Sequence, residues 1–388
     1  MRKATATLVG LLLAGVAATP AHADTIRSQQ WHLDAMKADE IWKISTGKGV
    51  TVAVIDTGVN QIPELEGQVL PGKAFPVGDA EMGRDNDYFG HGTGIAAMIA
   101  ATGKHPTGDG AYGLAPGVKI FPIRIPDMLE AASTPSMVEA IRHAADSDAK
   151  VINISMGLAG KAEDDQERAA AVKYAISKGK LIFAAVGNYG NSTNEVQYPA
   201  GTPGVVGVGA VDSKGEPTAE SQHGPQVDLA APGVDVVTAC KGKTGVCKTH
   251  GTSDSSALAS ASAALLWSAH PDWTNNQVLR VLLNTAGKPV DGSHRNDYVG
   301  YGIVRPRVAL QTPGDPGPAD VYPLPDLAAA AGGGKPSASA DPATPSKPAA
   351  PQAAEEKSGS SVLWVGLGLG ACVLIGGAVA AVVVRRNR

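Results

Sequence analysis

The chain has 388 residues, enough for one large domain or two ordinary ones. Its 33 Lys and Arg against 37 Asp and Glu leave a formal net charge of −4, which excludes a basic nucleic-acid module. Hydrophobic residues at 43% can furnish a sizeable core, and three cysteines are too few for a disulfide-dense mini-protein.

The first segment places Arg2 and Lys3 ahead of an apolar stretch from Ala4 to Ala18, and Ala21-His22-Ala23 has the small-x-small form of a cleavage site. Residues 1–23 therefore read as a secretory signal peptide, with an uncleaved anchor as the alternative. Residues 24–48 form an N-terminal extension. Beyond it, β-branched runs of strand length at Val50–Ile55, Val118–Ile123, Val151–Ile154, Leu181–Val186 and Val205–Val211 alternate with helical patterning. That 3.6-residue patterning falls at 93–101, 136–147 and 165–178. A long apolar helix is expected from Ser253 to about His270, and another over Asn275–Asn284. The alternation implies an α/β fold over residues 49–311, with a mainly parallel central sheet covered by helices on both faces. Chemistry in such folds gathers at the carboxyl ends of the strands.

From Thr312 to Ser361 the sequence turns to Pro, Ala, Gly and Ser and reads as a semi-stiff linker. Val362–Val384 is an uncharged run of 23 residues, about 34 Å as a helix and so long enough to cross a bilayer. A buried soluble helix is the alternative. Arg385, Arg386 and Arg388 place the tail, residues 385–388, in the cytoplasm and the rest outside. Without the two cations of the signal peptide and the three tail arginines, residues 24–384 carry −9. Cys372 lies in the apolar span. Cys240 and Cys247, on the oxidising side, are expected to form a disulfide closing a short loop. The alternative, a metal pair, lacks a neighbouring Cys or His cluster to complete four ligands.

Four fragments carry candidate chemistry. Val54-Ile55-Asp56-Thr57-Gly58 ends a buried strand in an acid, a position that also suits a turn former. Gly90-His91-Gly92-Thr93-Gly94 opens a helix with little bulk around the imidazole, although a histidine there can simply cap. Thr249-His250-Gly251-Thr252-Ser253 sets Ser253 at the positive end of a buried helix, where Ser is also an ordinary cap. Ala185-Val186-Gly187-Asn188 places an amide donor at a strand end.

The order Asp, His, Asn, Ser resembles the subtilisin-like serine peptidases, the subtilases, over residues 49–310. Supporting segments are Gly113-Leu114-Ala115-Pro116-Gly117, Val151–Gly157, Tyr198-Pro199-Ala200, Ala231-Pro232-Gly233 and Tyr301-Gly302-Ile303-Val304. The resemblance implies a subtilisin-like three-layer fold and a serine endopeptidase. It gives Ser253 the nucleophile's role, His91 the general base's and Asp56 that of orienting the imidazole, with Asn188 and the Ser253 N–H as oxyanion donors. It makes Ser155, Met156 and Gly157 a strand edge for the substrate backbone. His250, His223 and Asp85 are left as structural. Signal peptide, catalytic domain, linker, membrane helix and basic tail together resemble the mycosin-type subtilases of type VII secretion, and Trp31-His32-Leu33 and Ile41-Trp42 fit that group's extension. The resemblance thus implies protein substrates, a cell-membrane location with the catalytic domain extracytoplasmic, and type VII membrane components as partners. Only 32 residues separate Ala23 from Asp56, so no long folding prodomain is expected. No cofactor is expected; calcium is the ion the family suggests, but no Asp-rich loop commits to a metal site.

Two positions depart from the family pattern. Asp254 stands after the nucleophile where an apolar residue is usual, and its charge would oppose a forming oxyanion unless it points to solvent. Gly94 stands where the family often has a second histidine, outside the triad. Two functions follow: an endopeptidase processing exported proteins, or a protease-like structural subunit of the secretion complex with weak or dispensable catalysis.

Overall fold

The β-branched runs pair side by side into one seven-stranded parallel sheet. A computed structural model describes residues 25–75, 87–126, 134–161, 166–241 and 245–330. Its strands are β1 (Thr51–Asp56), β2 (Lys73–Ala74), β3 (Lys119–Arg124), β4 (Val151–Ile154), β6 (Leu181–Ala185), β8 (Val206–Val211) and β9 (Leu229–Pro232), in the order β2-β3-β1-β4-β6-β8-β9. Two short antiparallel pairs lie outside it: β5 (Leu158–Ala159) with β7 (Gln197–Tyr198), and β10 (Val236–Ala239) with β11 (Val246–Thr249).

Successive residues of a strand face opposite sides, and here both sides are covered. Val52 and Val54 of β1 enter one core with α4 (His91–Ala100), α7 (Thr252–Ala269) and α8 (Asn275–Thr285). Ala53 and Ile55 enter the other with α5 (Thr134–Asp146) and α6 (Gln166–Ser177). The sheet is thus the middle of three layers, as the alternation of elements implied. The expected strand and helix limits agree with the observed ones within two residues, the largest differences being at the starts of α4 and α5. One small difference matters: α4 begins at His91 itself, so the histidine sits in the first turn.

Helix α7 runs through the core and is buried almost all round, which explains a sequence with no polar face. Leu258, Leu265 and Leu266 are fully buried, each contributing about 1.5–3 kcal/mol. Its buried serines find partners: Ser260 Oγ donates to Asn153 Oδ1 at 3.0 Å and Ser262 Oγ to the Leu258 carbonyl at 2.7 Å. The chain leaves β1 toward β3 on one side and resumes at β4 on the other. The crevice between β1 and β4 is therefore a topological switch point, where ligands of open α/β sheets bind.

The N-terminal extension forms α1 (Ile26–Gln29), α2 (Trp31–Ala35) and α3 (Ala38–Ile41). Gln30 is fully buried and its Nε2 donates to the Tyr112 and Val237 carbonyls at 2.8 and 3.0 Å. Trp31 Nε1 donates to the Val234 carbonyl and Trp42 Nε1 to that of Leu114.

At the other end, α9 (Pro306–Gln311) closes the expected domain, yet the chain does not become free at Thr312. Carbonyls of Pro316 and Pro318 accept from Arg280 Nη1, that of Ala319 accepts from Thr274 Oγ1, and Leu324 is buried. A short helix α10 (Asp326–Ala330) follows. The first residues of the segment expected as a linker from 312 are thus held at α8 and its N-cap: proline lacks a donor but keeps its carbonyl, which Arg280 uses. Signal peptide, residues 331–361, the apolar span 362–384, the tail and Asp85 lie outside the described residues. Among the described residues no helix is long and apolar enough to cross a membrane.

Candidate active site

Strand β1 delivers Asp56 to the carboxyl edge of the sheet, fully buried. Its Oδ1 accepts from the Thr57 N–H at 2.8 Å and lies 2.7 Å from His91 Nδ1. A carboxylate only accepts, so Nδ1 carries the proton and Nε2 is left for the cleft. The close approach of α4 to β1 requires glycine at 92, where a Cβ would stand 2.2 Å from the Gly58 carbonyl oxygen and 3.0 Å from Asp56. The His91 side chain keeps 41% of its surface open. Burial opposes its imidazolium, but the charge of Asp56 and its hydrogen bond, helped by Asp254 and Asp87, win and raise the imidazole to about 9.

Ser253 lies in the first turn of α7, and its Oγ donates to the Ser155 carbonyl at 3.1 Å. Asn188 follows β6, and its Oδ1 accepts from the Thr252 N–H at 2.9 Å and from Thr252 Oγ1 at 3.0 Å. Thr252 Oγ1 also accepts the Gly187 N–H at 3.1 Å. These bonds fix which end of the Asn188 amide is oxygen, and so aim its NH2 away from Thr252. Gly251 makes the approach possible: its φ is +138°, and a Cβ there would lie 3.1 Å from Asn188 Nδ2.

A cleft of about 620 Å³ joins these groups, bordered by His91, Ser155, Met156, Asn188, Ser253 and Asp254. No residue of the described N-terminal extension borders it. Asp56 stands behind His91, outside the lining. Gly157 also lies outside it, against β7, where a Cβ would be 3.1 Å from the Tyr198 carbonyl oxygen. Cys240 and Cys247 form a disulfide across the β10–β11 hairpin, with Cα atoms 5.8 Å apart, and both border the cleft.

Asp254 does not point to solvent. It is only 4% exposed and borders the cleft. Burial raises its carboxyl to about 6, against a Thr249 hydrogen bond and the charges of His91 and His250. Two residues set aside in the sequence also border the cleft: exposed His250, whose Nε2 is 3.7 Å from Glu220 Oε2, and Gly94, where the missing side chain leaves room. His223 stacks on Tyr298 with ring centroids 4.8 Å apart and is not in the lining. Sequence reasoning missed Thr252 as the group that orients Asn188, and missed Asp87, a fully buried carboxylate beside the start of α4. Asp87 carries a signal in its spacing, four residues before His91. Among the described residues no group of three or more His, Cys, Asp or Glu could hold a metal ion.

A family model described as the subtilase family, peptidase S8, matches residues 47–302. The chain is a subtilase. It is 32% identical over 331 residues to mycosin-1 of Mycolicibacterium smegmatis, covering 72% of each chain. It resembles the crystal structure of MycP1 from the ESX-1 type VII secretion system with a TM-score of 0.66 at 32% identity, over 78% of this chain and 90% of that one. A chain of the intact ESX-5 inner membrane complex matches with a TM-score of 0.65 at 29% identity, over 83% and 84%. This subtilase is therefore a serine endopeptidase of mycosin type, related to the MycP proteins of type VII secretion.

Proposed function

We propose that this subtilase is a membrane-anchored, extracytoplasmic endopeptidase that processes exported proteins at a type VII secretion complex, with Ser253 as nucleophile. The observation that carries the reading is the 2.7 Å contact of His91 Nδ1 with Asp56 Oδ1, which leaves Nε2 facing the cleft that Ser253 borders. In the reaction, Ser253 Oγ gives its proton to His91 Nε2 and bonds to the scissile carbonyl carbon. Negative charge then develops on the carbonyl oxygen against Asn188 Nδ2 and the Ser253 N–H, at the positive end of α7. Asp56 holds the tautomer and offsets the imidazolium. Collapse breaks the C–N bond, the leaving amine takes the proton from Nε2, and water repeats the sequence on the acyl-enzyme. Ser155, Met156 and Gly157 offer the edge along which the substrate backbone is held.

Anchoring by residues 362–384 rests on their hydropathy and on the arginines behind them. Association with type VII membrane components is supported by the likeness to a chain of the ESX-5 complex. That likeness, with the buried Asp254 beside Ser253, also favours a second reading in which the subunit steadies the complex and catalysis is weak. Fluorophosphonate labelling of the full chain and of its Ser253→Ala form separates the two. Labelling of the wild type alone supports the peptidase. Absence of labelling in folded wild-type protein moves the structural reading into first place.

A further inference from the structure

Asp87 is fully buried, and each of its carboxylate oxygens accepts two hydrogen bonds. Oδ1 accepts from Thr57 Oγ1 at 2.8 Å and from the Gly90 N–H at 2.7 Å. Oδ2 accepts from the Thr93 N–H at 2.8 Å and from Thr93 Oγ1 at 2.6 Å. Its own backbone is held by Asn60, whose Nδ2 donates to the Asp87 carbonyl at 2.7 Å and whose Oδ1 accepts the Asp87 N–H at 3.2 Å. The Asn60 N–H in turn donates to Thr93 Oγ1 at 3.0 Å. One carboxylate therefore joins the loop after β1, the residue before His91 and the first turn of α4.

A helix start needs less than this. A neutral cap satisfies one N–H, whereas Asp87 takes two N–H groups of α4's entry and reaches Thr57 as well. The Thr57 hydroxyl has a single proton to give and two acidic neighbours. Asp87 Oδ1 is at 2.8 Å and Asp56 Oδ1 at 3.3 Å, while the hydroxyl oxygen itself accepts the Gly92 N–H at 3.0 Å. The shorter, charge-assisted bond claims the proton. Asp56 Oδ1 then keeps its lone pairs for His91 Nδ1 and the Thr57 N–H. Without the Asp87 charge, the hydroxyl turns to Asp56 and competes with the imidazole for the same oxygen.

We propose that Asp87 is a positioning residue for the peptidase reaction, acting through the Thr57 hydroxyl to reserve Asp56 Oδ1 for His91 and to hold His91 in register. The inference rests on the triad reading above. Asp87 touches neither the nucleophile nor the cleft, so it acts through other groups. Its charge also favours the imidazolium, together with Asp56 on β1 and Asp254 on α7. Among the described residues, His250, before α7, also acts on Asp254, Lys248 borders the same cleft, and Arg124 ends β3 in register with Asp56.

The test uses the full chain and a fluorophosphonate probe, measuring kinact and KI across pH for wild type, Asp87→Asn, Thr57→Val, Thr57→Ser and Ser253→Ala. Asp87→Asn is expected to lower kinact about tenfold to a hundredfold with KI nearly constant, the cost of a misplaced base. Its rising limb with pH should move to lower pH, because a charge that favours the imidazolium is gone; a purely structural cap would leave the limb in place. Thr57→Val removes the acceptor of the Gly92 N–H and loosens the register of His91, so it should lower kinact without that displacement, and Thr57→Ser should recover most of the loss. Where Asp87→Asn does not fold, the Thr57 pair decides. Equal kinact in folded Asp87→Asn and wild type overturns the inference alone, as does equal kinact in Thr57→Val and wild type. Labelling that persists in Ser253→Ala overturns the triad reading and the inference with it.

Discussion

Replacing Asp254 by Asn should accelerate this enzyme, an unusual expectation for a residue next to a nucleophile. The carboxylate is buried, borders the cleft and follows Ser253 directly. At about 6 Å from the oxyanion and an effective dielectric of 20–40, its repulsion amounts to roughly 1.4–2.8 kcal/mol, a factor of about 10–100 in rate. Its carboxyl, raised to about 6, is ionised at pH 8, so the penalty applies there in full. Asp254 also favours the protonated form of His91, so its removal makes the base available at lower pH. Both effects act in the same direction. Asparagine keeps an oxygen to accept from Thr249, which limits the structural disturbance.

The assay is the rate of fluorophosphonate labelling of wild type and Asp254→Asn at pH 8, followed by the full pH profile. A gain of tenfold or more at pH 8, narrowing toward pH 5 where wild-type Asp254 is itself protonated, is expected. Stability supplies a second readout. A carboxyl whose folded value lies above its unfolded one loses stability as pH rises from about 4 to 6, because the unfolded state releases its proton first. The variant should therefore be more stable than wild type at pH 7, by up to about 3 kcal/mol, and no different at pH 3. An unchanged or lower labelling rate in a folded variant at pH 8 would refute the reasoning.

Three further outcomes are expected. Asn188→Ala should lower labelling and peptide cleavage about 10²–10³-fold, with thermal unfolding nearly unchanged, as measured on the same preparation. Replacing both Cys240 and Cys247 by Ser should destabilise the domain by about 2–3 kcal/mol in urea unfolding, the chain-entropy value for so short a loop. His32 is fully buried, and burial followed by the Arg27 charge lowers its imidazole to about 3. The unfolded chain therefore takes up a proton below about pH 6.5 that the native state refuses. Stability should fall by about 2 kcal/mol between pH 7 and 5, and His32→Leu should flatten that part of the curve.

Much of the fold was legible because β-branched runs and helical periods are local signals. Strands β1, β4, β6 and β8 follow directly from them, and the parallel arrangement from their alternation with helices. Short pairings were not legible: β5 and β7 depend on partners distant in the chain, and β10 and β11, though a local hairpin, are too short to show a clear period. The packing of residues 312–330 was hidden for a different reason. Composition registers the lack of apolar side chains, but this segment is held largely through backbone carbonyls, which every sequence possesses. In the site, Asp56, His91, Asn188 and Ser253 could be chosen because each combines a reactive group with a chain position at a strand end or helix start. The orientation of the Asn188 amide could not, since it rests on Thr252, whose hydroxyl looks like any helix cap.

The three carboxylates that act on His91 illustrate what the sequence leaves undetermined. Asp56, Asp87 and Asp254 are alike as letters, and all three are buried. Asp56 Oδ1 receives the His91 ring and a backbone N–H, and Asp87 receives four donors on two oxygens. Oδ2 of Asp56 and Oδ2 of Asp254 have no hydrogen-bond partner among the described residues, and burial raises the Asp254 carboxyl. At Asp254 burial and donors oppose each other: hydrogen bonds favour the charged carboxylate, burial favours the neutral acid, and burial wins. The charge of Asp254 consequently changes near pH 6. Its part of the field on the imidazole switches on as pH rises, beside the contributions of Asp56 and Asp87. The Asp87 and Asp254 substitutions separate these contributions: loss of Asp87 should move the pH profile to lower pH, whereas loss of Asp254 should also remove the inflection near pH 6.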